Sequence, residues 1–234
     1  GAPMPKYAAR GVPAAIRESD SRFPLELSSY ASAEAQAAAI ADDVAYNAHD
    51  IDDGLRAGLF TIEDVREIEF VSGIVAEIEH AHPGLDHARA VNEIVRRLIT
   101  RFVEDVIAES GRRLAAFAPA SAADVRGAGL AMIAFSPAIV AADKAIKSWL
   151  FTHMYRAPRV MVIRRAAADA LRNICARFLA HPRDMPGEWA QAAARAAGDD
   201  ARCARIVCDY IAGMTDRYAL AEHRRLFGDA PELR

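Results

Sequence analysis

Acidic side chains, one histidine and one tyrosine crowd into a short stretch of the chain between Glu34 and Gly58. On a helix, which turns about 100° per residue, these side chains form one polar stripe. The stripe consists of Asp42, Tyr46, His49, Asp50 and Asp53, with Asp43 at its edge. Because like charges three or four residues apart on a helix repel each other, we expect a cation to offset them. That cation is a metal ion, a Lys or Arg from a neighbouring helix, or both.

The opposite side of this predicted helix is apolar. It carries Ile40, Val44, Ala48, Ile51 and Leu55. This side should therefore face a hydrophobic core. A stripe of acids on a helix is more often a solvated surface than a binding site, and this alternative stays open. The position of Tyr46 among the acids favours a site, since a large ring is unusual on a purely hydrated face.

Helical periodicity continues along the chain and predicts an all-α fold, because no convincing strand pattern occurs. Residues 1–30 contain several prolines and predict an irregular arm, whose first residues, Gly1–Pro3, resemble a remnant of tag cleavage. Residues 31–234 are predicted to form a single helical domain. Its helices are expected from Ser32 to about Gly58, from Thr61 to before Pro83, over 85–110, from Pro137 to about 156, from Pro158 to about 180, over 189–198 and over 200–227.

Bulk composition narrows the class of protein. The chain has 234 residues, a formal net charge of −3 and 26% charged residues, which is typical of a soluble globular protein. No run of 18 apolar residues exists, so no membrane span is predicted. Three cysteines and no visible signal peptide predict a cytoplasmic protein. The near-neutral charge gives no indication of nucleic-acid binding, which stays open as a partner class.

Three sequence blocks together suggest a family. They are EAQAAAIADDVAYNAHDIDDGLRAG over 34–58, Lys147–Arg156 and Asp209–Tyr218. With these blocks in this order, the chain resembles the deoxyguanosinetriphosphate triphosphohydrolase-like branch of the HD-domain hydrolases, from about residue 25 onward. The family is all-helical, in agreement with the periodicity. The resemblance implies a metal-dependent enzyme that converts a deoxynucleoside triphosphate (dNTP) to a deoxynucleoside and triphosphate, and that forms homo-oligomers.

The resemblance also assigns candidate roles to individual residues. HD enzymes hold a divalent ion (Mn, Mg, Co or Fe) with two His and two Asp, and Asp42 matches the final Asp of that set. Tyr46 and Asp50 match positions that meet the sugar of the nucleotide. In the second block, Lys147 resembles the base that contacts phosphate and Tyr155 a ring that packs on sugar or base, with Arg156 beside them; these predict substrate binding. The alternative for Lys147 and Tyr155 is a hydrated surface with a peripheral aromatic ring.

The catalytic set is predicted to be incomplete. His49-Asp50 does not match the His-Asp metal pair of the family, because that pair lies upstream of the Asp42 segment, as does a further His ligand. Only 41 residues precede Asp42, and none is His. We therefore expect this chain to be a C-terminal portion of a longer enzyme, inactive alone. Two alternatives stay open: a non-catalytic helical module for oligomerisation or interaction, and an HD-type nucleotidase that acts on monophosphates.

Overall fold

The computed structural model describes residues 11–232, and this range is helical with no β-strand. The all-α prediction is confirmed. The helices are α1 (Ala14–Arg22), α2 (Ala33–Arg56), α3 (Ile62–Val65), α4 (Glu69–Ala81), α5 (His87–Phe117), α6 (Ala122–Gly127), α7 (Pro137–Leu150), α8 (Pro158–Ala180), α9 (Gly187–Arg195), α10 (Asp200–Ala212) and α11 (Asp216–Phe227), with a π-helical turn over Phe151–Tyr155 and a 3-10 turn over Pro182–Asp184. The expected tag remnant, Gly1–Pro3, lies outside the described residues. None of the helices between residues 11 and 232 is both long enough and apolar enough to cross a bilayer.

The chain divides into two compact units, the first ending at Met154 and the second beginning at Tyr155. The sequence predicts one domain over 31–234, since no Gly- or Ser-rich linker separates two regions there. The division falls instead inside the π-helical turn. This turn follows α7 directly, so the sequence around it reads as one continuous helix.

The first unit is organised around α2 and α5, which pack along each other, while α4 packs on α5 and α7 on α2. Its core contains large, fully buried side chains. These include Ile51, Val65, Val71, Ile74, Ile94, Leu98, Phe102, Met132, Ile146 and Leu150. Burial of such a side chain stabilises a fold by about 1.5–3 kcal/mol. The apolar side of α2 predicted from the sequence is part of this core.

The second unit has a core of its own, in which α8 packs on α10 and α11 and α9 packs on α10. Ile174 and Phe178 of α8 and Val207 of α10 are completely buried there. The ring of Tyr210 lies 5.5 Å from the ring of Phe178, measured between centroids. Burial, reinforced by a hydrogen bond with Tyr218, raises the pKa of the Tyr210 hydroxyl.

Several element boundaries are confirmed because side chains cap them as expected. Ser32 accepts a hydrogen bond from the backbone N–H of Ala35 at the start of α2. Thr61 and Asp64 form a complete capping box at the start of α3.

Other boundaries differ from the prediction. Residues 14–22, assigned to the irregular arm, form α1, in which Glu18 and Arg22 make an i,i+4 ion pair. The helix expected from Thr61 is interrupted between α3 and α4. α5 passes through Gly111 because Glu109 pairs with both Arg112 and Arg113 across it.

The segment over 121–136, where no helix is predicted, contains the short helix α6, which begins with a second capping box. The last predicted helix is broken after Gly213, where Thr215 caps a new helix, α11.

A single glutamine on α2 fixes a distant loop of the first unit. The side-chain oxygen of Gln36 accepts hydrogen bonds from the backbone N–H groups of Met132 (2.8 Å) and Ile133 (3.1 Å). Its amide nitrogen donates to the carbonyl of Ala31 at 2.7 Å. Gln36 is buried, and these three hydrogen bonds give both its side-chain oxygen and its side-chain nitrogen a partner, as is usual for buried amides.

Candidate functional site

The two faces of α2 differ as the sequence predicts. Val44, Ala48 and Ile51 are buried, whereas Asp42 and His49 are exposed. The helix is held close to the following segment at Gly54, since a Cβ added there would lie 2.1 Å from Cζ of Phe60. The core therefore fixes α2 in place, and the polar stripe is carried on a rigid element.

A lysine from α7 meets the acids at the edge of this stripe. The ammonium of Lys147 lies 3.0 Å from a carboxylate oxygen of Asp43 on α2 and 3.1 Å from one of Asp143 on its own helix. Burial lowers the pKa of Lys147, but hydrogen bonds to both carboxylates outweigh this effect and raise it. The expectation that a cation from a neighbouring helix would offset the acids is met by Lys147 for Asp43.

Asn47 completes this polar cluster from the buried side. Its amide nitrogen donates to Oδ1 of Asp143 at 2.6 Å. The residue is only 1% exposed, and among the residues that the structure describes its Oδ1 is buried with no hydrogen-bond partner. The amide cannot be turned around, since Oδ1 would then face the Asp143 carboxylate. We refer to Asp43, Asn47, Asp143 and Lys147 as the α2–α7 polar cluster.

The predicted nucleotide residues of α2 lie beside this cluster. Asp42 is exposed, Tyr46 is 55% exposed and Asp50 is half-buried. Asp42 and Tyr46 are four residues apart and therefore neighbours on the helix surface. The structure thus brings Asp42, Tyr46, Asp50 and Lys147 into one unit.

The donor side chains of the described residues do not form a complete metal site. Within residues 11–232, no three His, Cys, Asp or Glu side chains are grouped so that they could hold an ion. The part of the chain that the structure describes therefore offers Asp42 as a single carboxylate, without a complete donor set. Its role as a metal ligand stays a prediction.

Tyr155 and Arg156 belong to the second unit, apart from the other predicted substrate residues. Tyr155 is the last residue of the π-helical turn and is half-buried, and its carbonyl accepts a hydrogen bond from Arg164 at 3.4 Å. Arg156 is exposed. Their substrate roles stay predictions.

A polar and aromatic contact around the start of this turn was not predicted from the sequence. Nε1 of Trp149 donates to Glu67 at 2.8 Å, and the ring of His153 stacks on Trp149 with centroids 4.1 Å apart. Glu67 is 82 residues from Trp149, so no local spacing indicates the pair. Asn47 and Asp143 were also missed, although Asp143 and Lys147 have the i,i+4 spacing of a helical ion pair.

The third sequence block does not form one helical face. Asp209 lies on α10, where it accepts hydrogen bonds from Arg205, whereas Asp216 is the first residue of α11. The prediction of one helix over 200–227, which contains both residues, is wrong at this point, because the chain turns at Gly213 between them.

Comparison with known proteins shows what the chain is similar to. Residues 133–225 match the model of a phosphohydrolase-associated domain. A deoxyguanosinetriphosphate triphosphohydrolase-like protein of Rhodopseudomonas palustris (strain BisB5) is 50% identical over 234 residues, which is 100% of this chain and 58% of that protein. The predicted family resemblance is confirmed.

Further relatives with the same name, deoxyguanosinetriphosphate triphosphohydrolase-like (dGTPase-like) protein, show a similar identity and coverage. The protein of that name from Nitrobacter hamburgensis is 46% identical over 229 residues, covering 98% of this chain and 57% of the relative. The one from Rhizobium leguminosarum is 48% identical over 224 residues, covering 95% of this chain and 55% of the relative. The chain thus spans just over half the length of these relatives, and it matches their C-terminal part.

Proposed function

We propose that this chain is part of a metal-dependent dNTP triphosphohydrolase. The observation that supports it is 50% identity along the whole chain to a protein named deoxyguanosinetriphosphate triphosphohydrolase-like. In the proposed reaction, water adds to the α-phosphorus and the bond from that phosphorus to the 5′-oxygen breaks. The deoxynucleoside leaves with a protonated 5′-hydroxyl, and the triphosphate stays intact.

A divalent ion (Mn, Mg, Co or Fe), held by the longer protein, would polarise the phosphate and lower the pKa of a bound water. The described residues alone do not form its donor set, so we assign this chain a binding role only. Asp42 would supply one carboxylate. Tyr46, one turn further on, would limit the space beside the sugar, and Asp50 would accept a hydrogen bond from its 3′-hydroxyl.

Lys147 is proposed to bind phosphate, but its ammonium already lies between two carboxylates. The side chain of Asp43 is 53% exposed and that of Asp143 only 17%. A triphosphate would therefore displace Asp43, while Asp143 keeps the lysine in place. On the family resemblance, Tyr155 and Arg156 are proposed as substrate residues and the protein as a homo-oligomer. A cytoplasmic location is proposed from the three cysteines, which suit a reducing compartment.

The test is triphosphate release from a mixture of dNTPs with Mn²⁺, measured for this chain and for the longer protein. We expect release by the longer protein, reduced at least about a hundredfold by Asp42→Ala, since loss of a ligand weakens metal binding. Asp53→Ala, an exposed acid on the same stripe, is the matched control and should change release little. No release from any dNTP would refute the proposal, and phosphate release from a dNMP instead would indicate the nucleotidase.

A non-catalytic interaction module is the second candidate, favoured by an exposed apolar groove beside α2. It predicts that this chain takes up no metal stoichiometrically. Uptake of one Mn²⁺ per chain that is lost in Asp42→Ala would argue against it.

A further inference from the structure

We infer that the apolar groove between α2 and α5 is the docking site of the segment by which the dGTPase-like relatives exceed this chain. This inference rests on the proposed function. The groove has a volume of about 330 Å³ and is lined by Ala37, Ile40, Ala41, Val44 and Ala45 of α2 and by Ile99, Val103, Val106 and Ile107 of α5. We call it the α2–α5 groove.

The outer rim of the α2–α5 groove is exposed to solvent. Val103 is 41% exposed and Ile107 is 68% exposed. The two residues are four apart on α5, so they form one apolar ridge along that helix. A contiguous apolar surface of this kind usually marks an interaction site, whereas single exposed apolar residues do not.

The position of the groove on α2 indicates its occupant. Asp42 directly follows Ala41 of the groove, and Ala45 lies three residues further, on the adjacent turn. In the proposed enzyme the remaining metal donors must reach Asp42 from outside the described residues. A segment that brings those donors to Asp42 would therefore lie beside Ala45 and could pack against the groove.

The length of the relatives supplies such a segment. This chain spans 58% of the Rhodopseudomonas palustris relative and matches its C-terminal part, so the rest of that relative precedes the match. All nine lining residues are uncharged and apolar. They fit the hydrophobic face of a helix, whose polar side would then lie towards Asp42.

The experiment compares thiol labelling in this chain and in the longer protein. Ile107→Cys and Val103→Cys report on the groove, and Val140→Cys on α7, which is 51% exposed and outside the groove, is the matched control. Maleimide attachment is read on individual peptides by mass spectrometry, so that Cys175, Cys203 and Cys208 do not interfere. The labelling of each site is followed over time at low and high protein concentration.

We expect position 107 to react at least about tenfold more slowly in the longer protein, since a cover that opens at a cost of about 1.4 kcal/mol slows labelling by that factor. Position 140 should react equally fast in both proteins. Equal rates at 107 and 103 in the two proteins would overturn the inference, as would a gene that encodes no preceding segment. Slow labelling of positions 103 and 107 in this chain alone, which becomes slower as the protein concentration rises, would also overturn the inference. It would indicate that a second copy of this chain covers the groove.

This readout is separate from the dNTP assay. Protection at 107 without triphosphate release refutes the proposed function and keeps the docking site. Release without protection refutes the docking site and keeps the function.

Discussion

Asp143 is the acceptor on which the α2–α7 polar cluster depends, so its replacement has a calculable cost. In Asp143→Ala, Lys147 loses one of two carboxylates and the Asn47 amide loses its only hydrogen-bond partner found among the described residues. A buried amide left unpaired costs about 1–3 kcal/mol, and a partly exposed ion pair adds about 0.2–1 kcal/mol. We expect the free energy of unfolding of the first unit to fall by about 1–4 kcal/mol, the sum of these two contributions.

The matched control is Asp52→Ala on α2. Asp52 also forms an ion pair four residues away along a helix, with Arg56, and Arg56 keeps a second bond, to Asn92, when Asp52 is lost. No buried amide depends on it, so the expected cost is below about 1 kcal/mol. A third variant, Asp143→Asn, removes the charge but keeps an oxygen for Asn47, and it should fall between the two.

Urea unfolding should be followed by tryptophan fluorescence. Because the chain has two compact units, one transition cannot be assumed for the whole molecule. The chain has two tryptophans, Trp149 in the first unit and Trp189 in the second. All variants are therefore compared in a Trp189→Phe background, where the signal reports on the first unit. If Asp143→Ala lowers the free energy of unfolding no more than Asp52→Ala does, the hydrogen bond between the Asn47 amide and Asp143 does not stabilise the first unit as proposed.

Two further predictions concern a glycine and a carboxylate. Gly54→Ala should lower the free energy of unfolding by about 1–3 kcal/mol, because its Cβ would meet the Phe60 ring. The control is Gly73→Ala on α4, where a Cβ meets nothing within 4 Å, and it should raise the free energy of unfolding by up to about 1 kcal/mol. Equal effects of the two substitutions in urea unfolding would contradict this prediction. Arg112 and then Arg113 lower the pKa of Glu109 from 4.5 to about 2, so its stabilising contribution is present above pH 4.5 and is lost as the pH falls towards 2. Glu109→Gln should therefore be less sensitive to acid than the unmodified chain when urea midpoints at pH 5 and pH 3 are compared, and an unchanged sensitivity would show that Glu109 does not contribute.

Patterns between neighbouring residues in the sequence predicted several helix starts and the buried side of α2. The cap at Ser32, the capping box at Thr61 and the apolar side of α2 depend on neighbours within one or two turns. The break after Gly213 and the passage of α5 through Gly111 are also set by nearby residues, yet they were missed, because a glycine is compatible with either the continuation or the end of a helix. The division at residue 155 has no counterpart in the sequence, because the π-helical turn follows α7 directly.

The candidate site shows the same limit. The polar stripe of α2 was visible, and a cation from another helix was expected, but the pairing of Lys147 with Asp43 joins residues 104 apart. Asn47 looks like an ordinary polar residue until its burial against Asp143 is seen. Roles in catalysis for Asp42, Tyr46 and Asp50 come from the family resemblance, since their surroundings among the described residues do not specify a ligand.

The hydrogen bonds of Gln36 limit the substitutions that the first unit can tolerate. Its oxygen binds backbone N–H groups of Met132 and Ile133, and its nitrogen binds a backbone carbonyl. Every residue type except proline offers the same N–H group, so positions 132 and 133 can vary without loss of these bonds. Position 36 cannot, because glutamate would accept both bonds but could not donate to Ala31. In chimaeras between relatives, helix α2 therefore carries the hydrogen-bonding requirement, whereas the loop must keep an apolar side chain at position 132, which is fully buried in the core.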